Sequence, residues 1–111
     1  MSWTLEFLPE AEKDLKDLDG SQRSFVWKAI KKVQQNPLPV DEQGYGNPLG
    51  NHSGKNLAGL LKIKLRSAGL RVVYQLRRTE SSMVIIVIGV RADEEVYELA
   101  QKRASKHGFL G

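Results

Sequence analysis

Polar and apolar residues alternate along two neighbouring stretches near the middle of the chain, strictly at residues 61–66 and with one exception, Val73, at residues 70–76. Because successive side chains on a strand point to opposite faces, this period of two predicts two β-strands, each with one apolar and one largely polar face. Ser67-Ala68-Gly69 separates the two stretches, and Gly69 can adopt the positive φ that a tight turn requires. The pattern therefore predicts a β-hairpin.

The charged faces of the two strands fall on the same side of the hairpin, because a buried core requires the apolar faces to lie together. Arg71 then shares a surface with Lys62, Lys64 and Arg66. Four cations on one side of a sheet repel one another. A protein retains such a surface most readily where a polyanion binds it.

The same periodicities predict the other elements. The uninterrupted β-branched run at 83–88 indicates a central strand covered on both faces, and the prolines and glycines of residues 37–59 indicate a long loop. The remaining predicted elements are a strand at 2–7, a helix at 9–18, a second helix from the N-cap Ser21 to about Gln35, and a third helix from Asp93 to about Lys106. The order β-α-α-β-β-β-α predicts an α+β fold: a mostly antiparallel sheet of about four strands, an N-terminal αα-hairpin packed on it, and a C-terminal helix.

The chain has 111 residues, which predicts one domain over 1–111, with residues 107–111 as a frayed tail. Its net charge of +4 favours nucleic acid, an anionic membrane surface or an acidic protein as a partner. The chain lacks cysteine, a signal-peptide pattern and an apolar run long enough to span a bilayer. We therefore expect a soluble, cytoplasmic protein without a membrane partner.

Three motifs give the chain a resemblance to the RelE branch of the RelE/ParE toxin superfamily. They are Lys62-Ile63-Lys64-Leu65-Arg66-Ser67 followed by Gly69 and Arg71, then Val73-Tyr74-Gln75, and finally Gly89-Val90-Arg91 followed by Glu95-Val96-Tyr97. The resemblance covers most of the chain, and the hairpin motif is its most specific part. It departs from the family pattern at Leu61, where an aromatic residue is common, and in a longer preceding loop, where Lys55 could supply the basic position.

The resemblance implies the toxin half of a type II toxin–antitoxin pair. Such a toxin enters the ribosomal A site and cleaves mRNA without a metal, leaving a 2′,3′-cyclic phosphate. Its implied partners are a cognate antitoxin, the ribosome and mRNA, with operator DNA bound only through the antitoxin complex. The implied catalytic residues are Lys62, Lys64, Arg71, Arg91 and Tyr97, and the implied RNA-binding residues are Arg66 and Lys55.

Cleavage through a 2′-oxygen needs a base, charge neutralisation at the phosphorane, and an acid for the leaving 5′-oxygen. Arg71 and Arg91 suit the second task, because a guanidinium stays charged and binds phosphate oxygens bidentately. Neighbouring cations favour the neutral form of a lysine, so one lysine of the pair could exchange protons while the other holds charge. We take Lys62 as the base side and Lys64 as the acid side, although the sequence does not decide which lysine has which role. Tyr97 could orient the 2′-hydroxyl or stack on a base.

Several alternatives compete with this hypothesis. The lysines could be only the solvated face of an amphipathic strand, and Arg66 could brace Glu95 instead of binding RNA. His52 is an alternative acid–base residue, although a glycine-rich loop places it poorly. The histidines and acidic residues show no metal-ligand spacing, so we expect neither a metal nor a cofactor. At the level of function, a ParE-like inhibitor of DNA gyrase without enzymatic activity and a plain basic nucleic-acid-binding module remain open.

Overall fold

The computed structural model describes residues 3–52, 55–90 and 93–108, without the side chains of residues 51, 52, 55, 56, 58 and 93. Three short 3₁₀ turns, at Val40–Glu42, Arg66–Ala68 and Arg78–Glu80, join the longer elements. In chain order these elements are β1 (Thr4–Phe7), α1 (Pro9–Asp17), α2 (Gly20–Gln34), β2 (Asn47–His52), β3 (Lys55–Leu65), β4 (Leu70–Arg77), β5 (Ser82–Gly89) and α3 (Asp93–Lys106).

The strands form one sheet in the order β1-β5-β4-β3-β2. Only β1 and β5 are parallel, so the predicted α+β fold with a mostly antiparallel sheet is confirmed. The predicted strand count was one too low, because β2 and the first part of β3 lie in the stretch that was predicted as a loop. Pro48 and Gly50 obscured β2: it is an edge strand, which tolerates proline, and its pairing shifts register between these two residues.

The helices α2 and α3 pack on opposite faces of the sheet. Phe7 of β1 stacks on Trp27 of α2 with 6.3 Å between ring centroids, and the Tyr74 hydroxyl donates to the Pro37 carbonyl, just after α2, at 2.8 Å. Tyr97 of α3 instead contacts Lys62 on the other face, as shown below. Burial without a charged partner raises the pKa of Tyr74 well above its ordinary value.

Asp19, and not Ser21 as predicted, is the N-cap of α2. Its carboxylate accepts the Gln22 backbone N–H at 2.8 Å, and the Gln22 side chain accepts the Asp19 N–H in return. The Ser21 hydroxyl also donates to this carboxylate. These hydrogen bonds lower the pKa of Asp19. Arg23 then donates to three carbonyls at the end of α1, which fixes the angle between the two helices.

A largely buried ion pair completes the edge of β5 beyond the end of β1. The Asp14 carboxylate of α1 accepts the Ile88 N–H at 3.1 Å, and Arg103 of α3 donates to the Ile86 carbonyl at 3.0 Å. The two side chains also bind each other, with 2.7 Å between Arg103 Nη1 and Asp14 Oδ2. Backbone groups that β1 leaves open are thereby satisfied, and α3 is fastened to α1 and to the sheet.

In the part of the chain that the structure describes, no helix is both long enough and apolar enough to cross a membrane.

We expect Arg103→Met to lower the free energy of unfolding by about 3 kcal/mol, because it leaves a carboxylate largely buried without its cation. The Asp14 and Arg103 side chains are only 19% and 13% exposed. Lys16→Met is the matched control: it removes an exposed pair with Glu12 and is expected to cost less than about 0.5 kcal/mol. Urea denaturation of both variants measures the difference, and equal losses would contradict this role for Arg103.

Glu10 ties the start of α1 to the end of α3. Its carboxylate lies 3.2 Å from Lys106 Nζ and 3.1 Å from His107 Nε2. A hydrogen bond from its own backbone N–H, followed by those from His107 and Lys106, lowers its pKa from 4.5 to about 2. His107, the first residue of the predicted frayed tail, is therefore bound to Glu10 rather than frayed. Residues 109–111 of this tail lie outside the described part of the chain.

The low pKa of Glu10 predicts an acid-dependent loss of stability. Because the folded-state pKa is below the ordinary value, the stabilisation is complete above pH 4.5 and is lost as the pH falls towards about 2. The unfolding temperature of the natural protein should therefore fall more steeply across this window than that of Glu10→Gln. Parallel curves for the two proteins would show that Glu10 contributes nothing to this dependence.

Candidate active site

The register between β3 and β4 gathers three of the predicted site residues on one face of the sheet. Lys64 pairs directly with Arg71, and Lys62, two residues before Lys64, pairs with Val73. Directly paired side chains on one face have Cβ atoms about 5 Å apart. Val73 is fully buried and the three cations are half-buried, so the charged groups stand on an apolar floor.

Tyr97 enters the same face from α3. Its hydroxyl accepts a hydrogen bond from Lys62 Nζ at 3.2 Å, and the same Nζ lies 5.7 Å from the centre of its ring. Tyr97 is only 1% exposed, because Val96, Ala100 and Ala104 bury α3 on the sheet around it. The packing of α3 thus fixes the position of the Lys62 amine.

The other predicted site residues are distributed differently. Arg66 begins the turn after β3, so strand alternation does not place it beside Lys62 and Lys64 as predicted. Lys55 begins β3, seven residues before Lys62, and so lies at the opposite end of the strand. Arg91 lies outside the described residues.

Neither histidine lies near the cations. His52 pairs with Lys55 at the far end of β3, and His107 binds Glu10 at the end of α3. The alternative of a catalytic His52 therefore loses its geometric support. Within the described parts of the chain, no three acidic or histidine side chains are grouped so that they could hold a metal ion.

Asn47 was not predicted as a site residue, yet it pairs with Lys62 from the edge strand β2 and so lies on the same face. On the other side of Arg71, its partner across the sheet is Gly89 of β5. Asn47 could not be found from the sequence, because the residues around it show no alternation. The basic character of this region, by contrast, is visible in the sequence, because residues 43–79 contain no Asp or Glu.

Known proteins with this fold and length are similar to the chain along most of it. The mRNA interferase toxin RelE of Escherichia coli (strain K12) is 31% identical over 103 residues, which cover 93% of this chain and 98% of that protein. A RelE-like toxin protein of E. coli is 28% identical over 104 residues with the same coverage. No protein-family model matches the chain.

Solved structures agree with the sequence relatives. A mutant of the E. coli toxin RelE in the free state superimposes with a TM-score of 0.73 at 30% identity, covering 93% of this chain and 98% of that one. The toxin in the intact E. coli RelBE toxin–antitoxin complex gives a TM-score of 0.62 at 26% identity, covering 82% and 99%. With a relative 31% identical along nearly its whole length, the chain belongs to the RelE family of toxins.

The contact between Lys62 and Tyr97 predicts an energetic coupling between their side chains. We expect Lys62→Met and Tyr97→Phe to destabilise the protein non-additively, with a coupling energy of about 1 kcal/mol, because either change removes the same hydrogen bond. Urea denaturation of the two single variants and the double variant measures this coupling. Additive losses would contradict the contact.

Proposed function

We propose that this chain is the toxin of a type II toxin–antitoxin pair and acts as a ribosome-dependent mRNA endoribonuclease. The observation that supports the proposal most strongly is the arrangement of Lys62, Lys64 and Arg71 on one face of the sheet, with Tyr97 of α3 in contact with Lys62. The relatives named mRNA interferase toxins support the same activity.

In the proposed reaction, Lys62 accepts the proton of a ribose 2′-hydroxyl, and the 2′-oxygen bonds to the adjacent phosphorus. Arg71, together with Arg91, neutralises the charge of the phosphorane. Lys64 donates a proton to the 5′-oxygen as the bond from phosphorus to that oxygen breaks. The products are a 2′,3′-cyclic phosphate and a free 5′-hydroxyl, so atoms and charge balance without a metal.

The geometry favours an orienting role for Tyr97 over base stacking. A stacking residue must offer an open ring face, whereas this ring is 1% exposed and one face lies near Lys62 Nζ. The hydroxyl, by contrast, already fixes the amine that we assign as the base. We therefore propose that Tyr97 positions Lys62, and that Asn47 lies where the neighbouring nucleotide would pass.

The proposed partners follow from the same assignment. One relative structure is the RelBE toxin–antitoxin complex, and we propose that a cognate antitoxin binds this chain and carries it to operator DNA. The proposed site of action is the ribosomal A site in the cytoplasm. Lys55, seven residues before Lys62 at the start of β3, would serve a more distant nucleotide or ribosomal RNA rather than the scissile phosphate.

Cleavage of a translated message tests this function. We expect the purified protein to produce toeprint stops in the A site of a cell-free translation reaction. Lys64→Ala and Arg71→Ala should each lower the cleavage rate by about a hundredfold or more, because each removes charge from the transition state. Lys102→Ala, an exposed change on the outside of α3, is the matched control.

Absence of A-site stops, or full activity of both site variants, would reject the enzymatic assignment. Inhibition of gyrase supercoiling without RNA cleavage would instead support the ParE-like alternative. Gel-shift binding to RNA with no arrest of growth on expression would support the plain binding module.

A further inference from the structure

A second basic surface lies on α2. The helix carries four cations and no carboxylate. Arg23 is occupied by the carbonyls at the end of α1, whereas Lys28, Lys31 and Lys32 are exposed. We call these three lysines the α2 basic face.

The α2 basic face lies on the side of the sheet opposite to the candidate active site. Val26, Ile30 and Val33 bury the inner side of α2 against the sheet face that includes Tyr74. Lys62 lies on the other sheet face, because it neighbours Leu61, the residue that pairs with Tyr74. The two basic surfaces are therefore separated by the thickness of the sheet and a helix.

Two of these lysines are held over aromatic rings rather than paired with carboxylates. Lys31 Nζ lies 5.7 Å from the ring centre of Trp27, and Lys32 Nζ lies 5.8 Å from that of Tyr45. The two rings are 42% and 49% exposed. Across the described ranges, no carboxylate forms an ion pair with Lys28, Lys31 or Lys32.

Their spacing makes the charges repel one another. Lys28 is three residues from Lys31 and four from Lys32, and like charges at these separations destabilise a helix by about 0.2–0.5 kcal/mol per pair. Helix α1 shows the opposite pattern, with Lys16 beside Glu12. The chain thus retains a repulsive cluster on α2 that its own acidic residues do not offset.

The surroundings of the cluster combine polar and aromatic residues in a way that suits RNA. A stripe of exposed polar residues runs along the outer side of α2 at helical spacing: Ser21, Ser24, Lys28, Lys31 and Gln35. Serine, lysine and glutamine are residue types that contact phosphates and riboses. Phe25 and Trp27, each 42% exposed, flank this stripe on the same helix. Exposed aromatic rings beside lysines are typical of RNA-binding surfaces, where bases stack on the rings and the cations bind phosphates.

We propose that the α2 basic face binds the phosphate backbone of ribosomal RNA while the opposite face of the sheet holds the mRNA. The protein would then contact RNA on both faces, and α2 would contribute to the affinity for the ribosome without taking part in mRNA cleavage. This inference rests on the proposed ribosome-dependent function and names the surface that docks on the ribosome.

Binding to purified 70S ribosomes without mRNA tests the inference. We compare the natural protein with the triple variant K28Q/K31Q/K32Q and with the control K13Q/K16Q/K102Q. The control loses the same charge from exposed positions on α1 and α3, whose cations are interspersed with carboxylates. Thermal unfolding of each variant establishes that it is folded.

We expect the α2 variant to bind ribosomes about tenfold or more weakly at physiological salt, because counterion release follows the number of phosphate contacts. The slope of log affinity against log salt should fall by about two to three for the three lost contacts. The control should keep the slope and stay within about threefold of the natural affinity.

Unchanged affinity and slope in the α2 variant would overturn the inference, and so would equal losses in the control. Loss of antitoxin binding with intact ribosome binding would also overturn it and assign the surface to the antitoxin. The proposed function fails separately: a protein that binds ribosomes through α2 but leaves mRNA intact would retain this inference and lose the nuclease assignment.

Discussion

The hydrogen-bond register between β3 and β4 determines the character of the candidate site. Pairing Leu61 with Tyr74 buries both residues and therefore places Lys62, Lys64 and Arg71 together on the opposite face. A shift by one residue would bury the cations and expose the aliphatic residues, which the core does not allow. The hydrophobic effect thus supplies the force that holds like charges at neighbouring positions, and the repulsion between them is a small opposing cost.

Placement of Tyr97 depends on a different part of the molecule. The helix that carries it is fastened at its far end by Arg103, which binds Asp14 and the open backbone edge of β5. Lys106 and His107 add contacts to Glu10 in the next turn. The early end of β1 at Phe7 therefore affects the candidate site. It leaves backbone groups of β5 that Asp14 and Arg103 bind, and this ion pair anchors α3, whose Tyr97 positions Lys62.

Much of this architecture was predictable because it follows from strict local patterns. The alternation at 61–76 predicted the hairpin, and the β-branched run at 83–88 predicted the central strand. By contrast, β2 was hidden, because Pro48 and Gly50 break local patterns that only pairing with β3 overrides. Asn47 was missed for the same reason, and the Asp14–Arg103 pair was missed because it joins residues 89 positions apart, a separation that periodicity does not report.

The order of charges along the chain carries more information than their sum. A net charge of +4 is modest, yet residues 20–79 contain eleven cations and only two carboxylates, Asp41 and Glu42. Glu42 is moreover bound by Arg78, which lowers the pKa of Glu42, and the charges of these two residues neutralise each other. This one stretch forms both α2 and the β3–β4 hairpin. Helix α2 packs on one face of the sheet, whereas the cations of the hairpin lie on the other face. The fold therefore turns a contiguous basic segment into two basic surfaces facing in opposite directions, while most carboxylates lie on α1 and α3, where cations are interspersed with them. A polyanion therefore meets separated regions of strong positive potential rather than a weakly charged sphere.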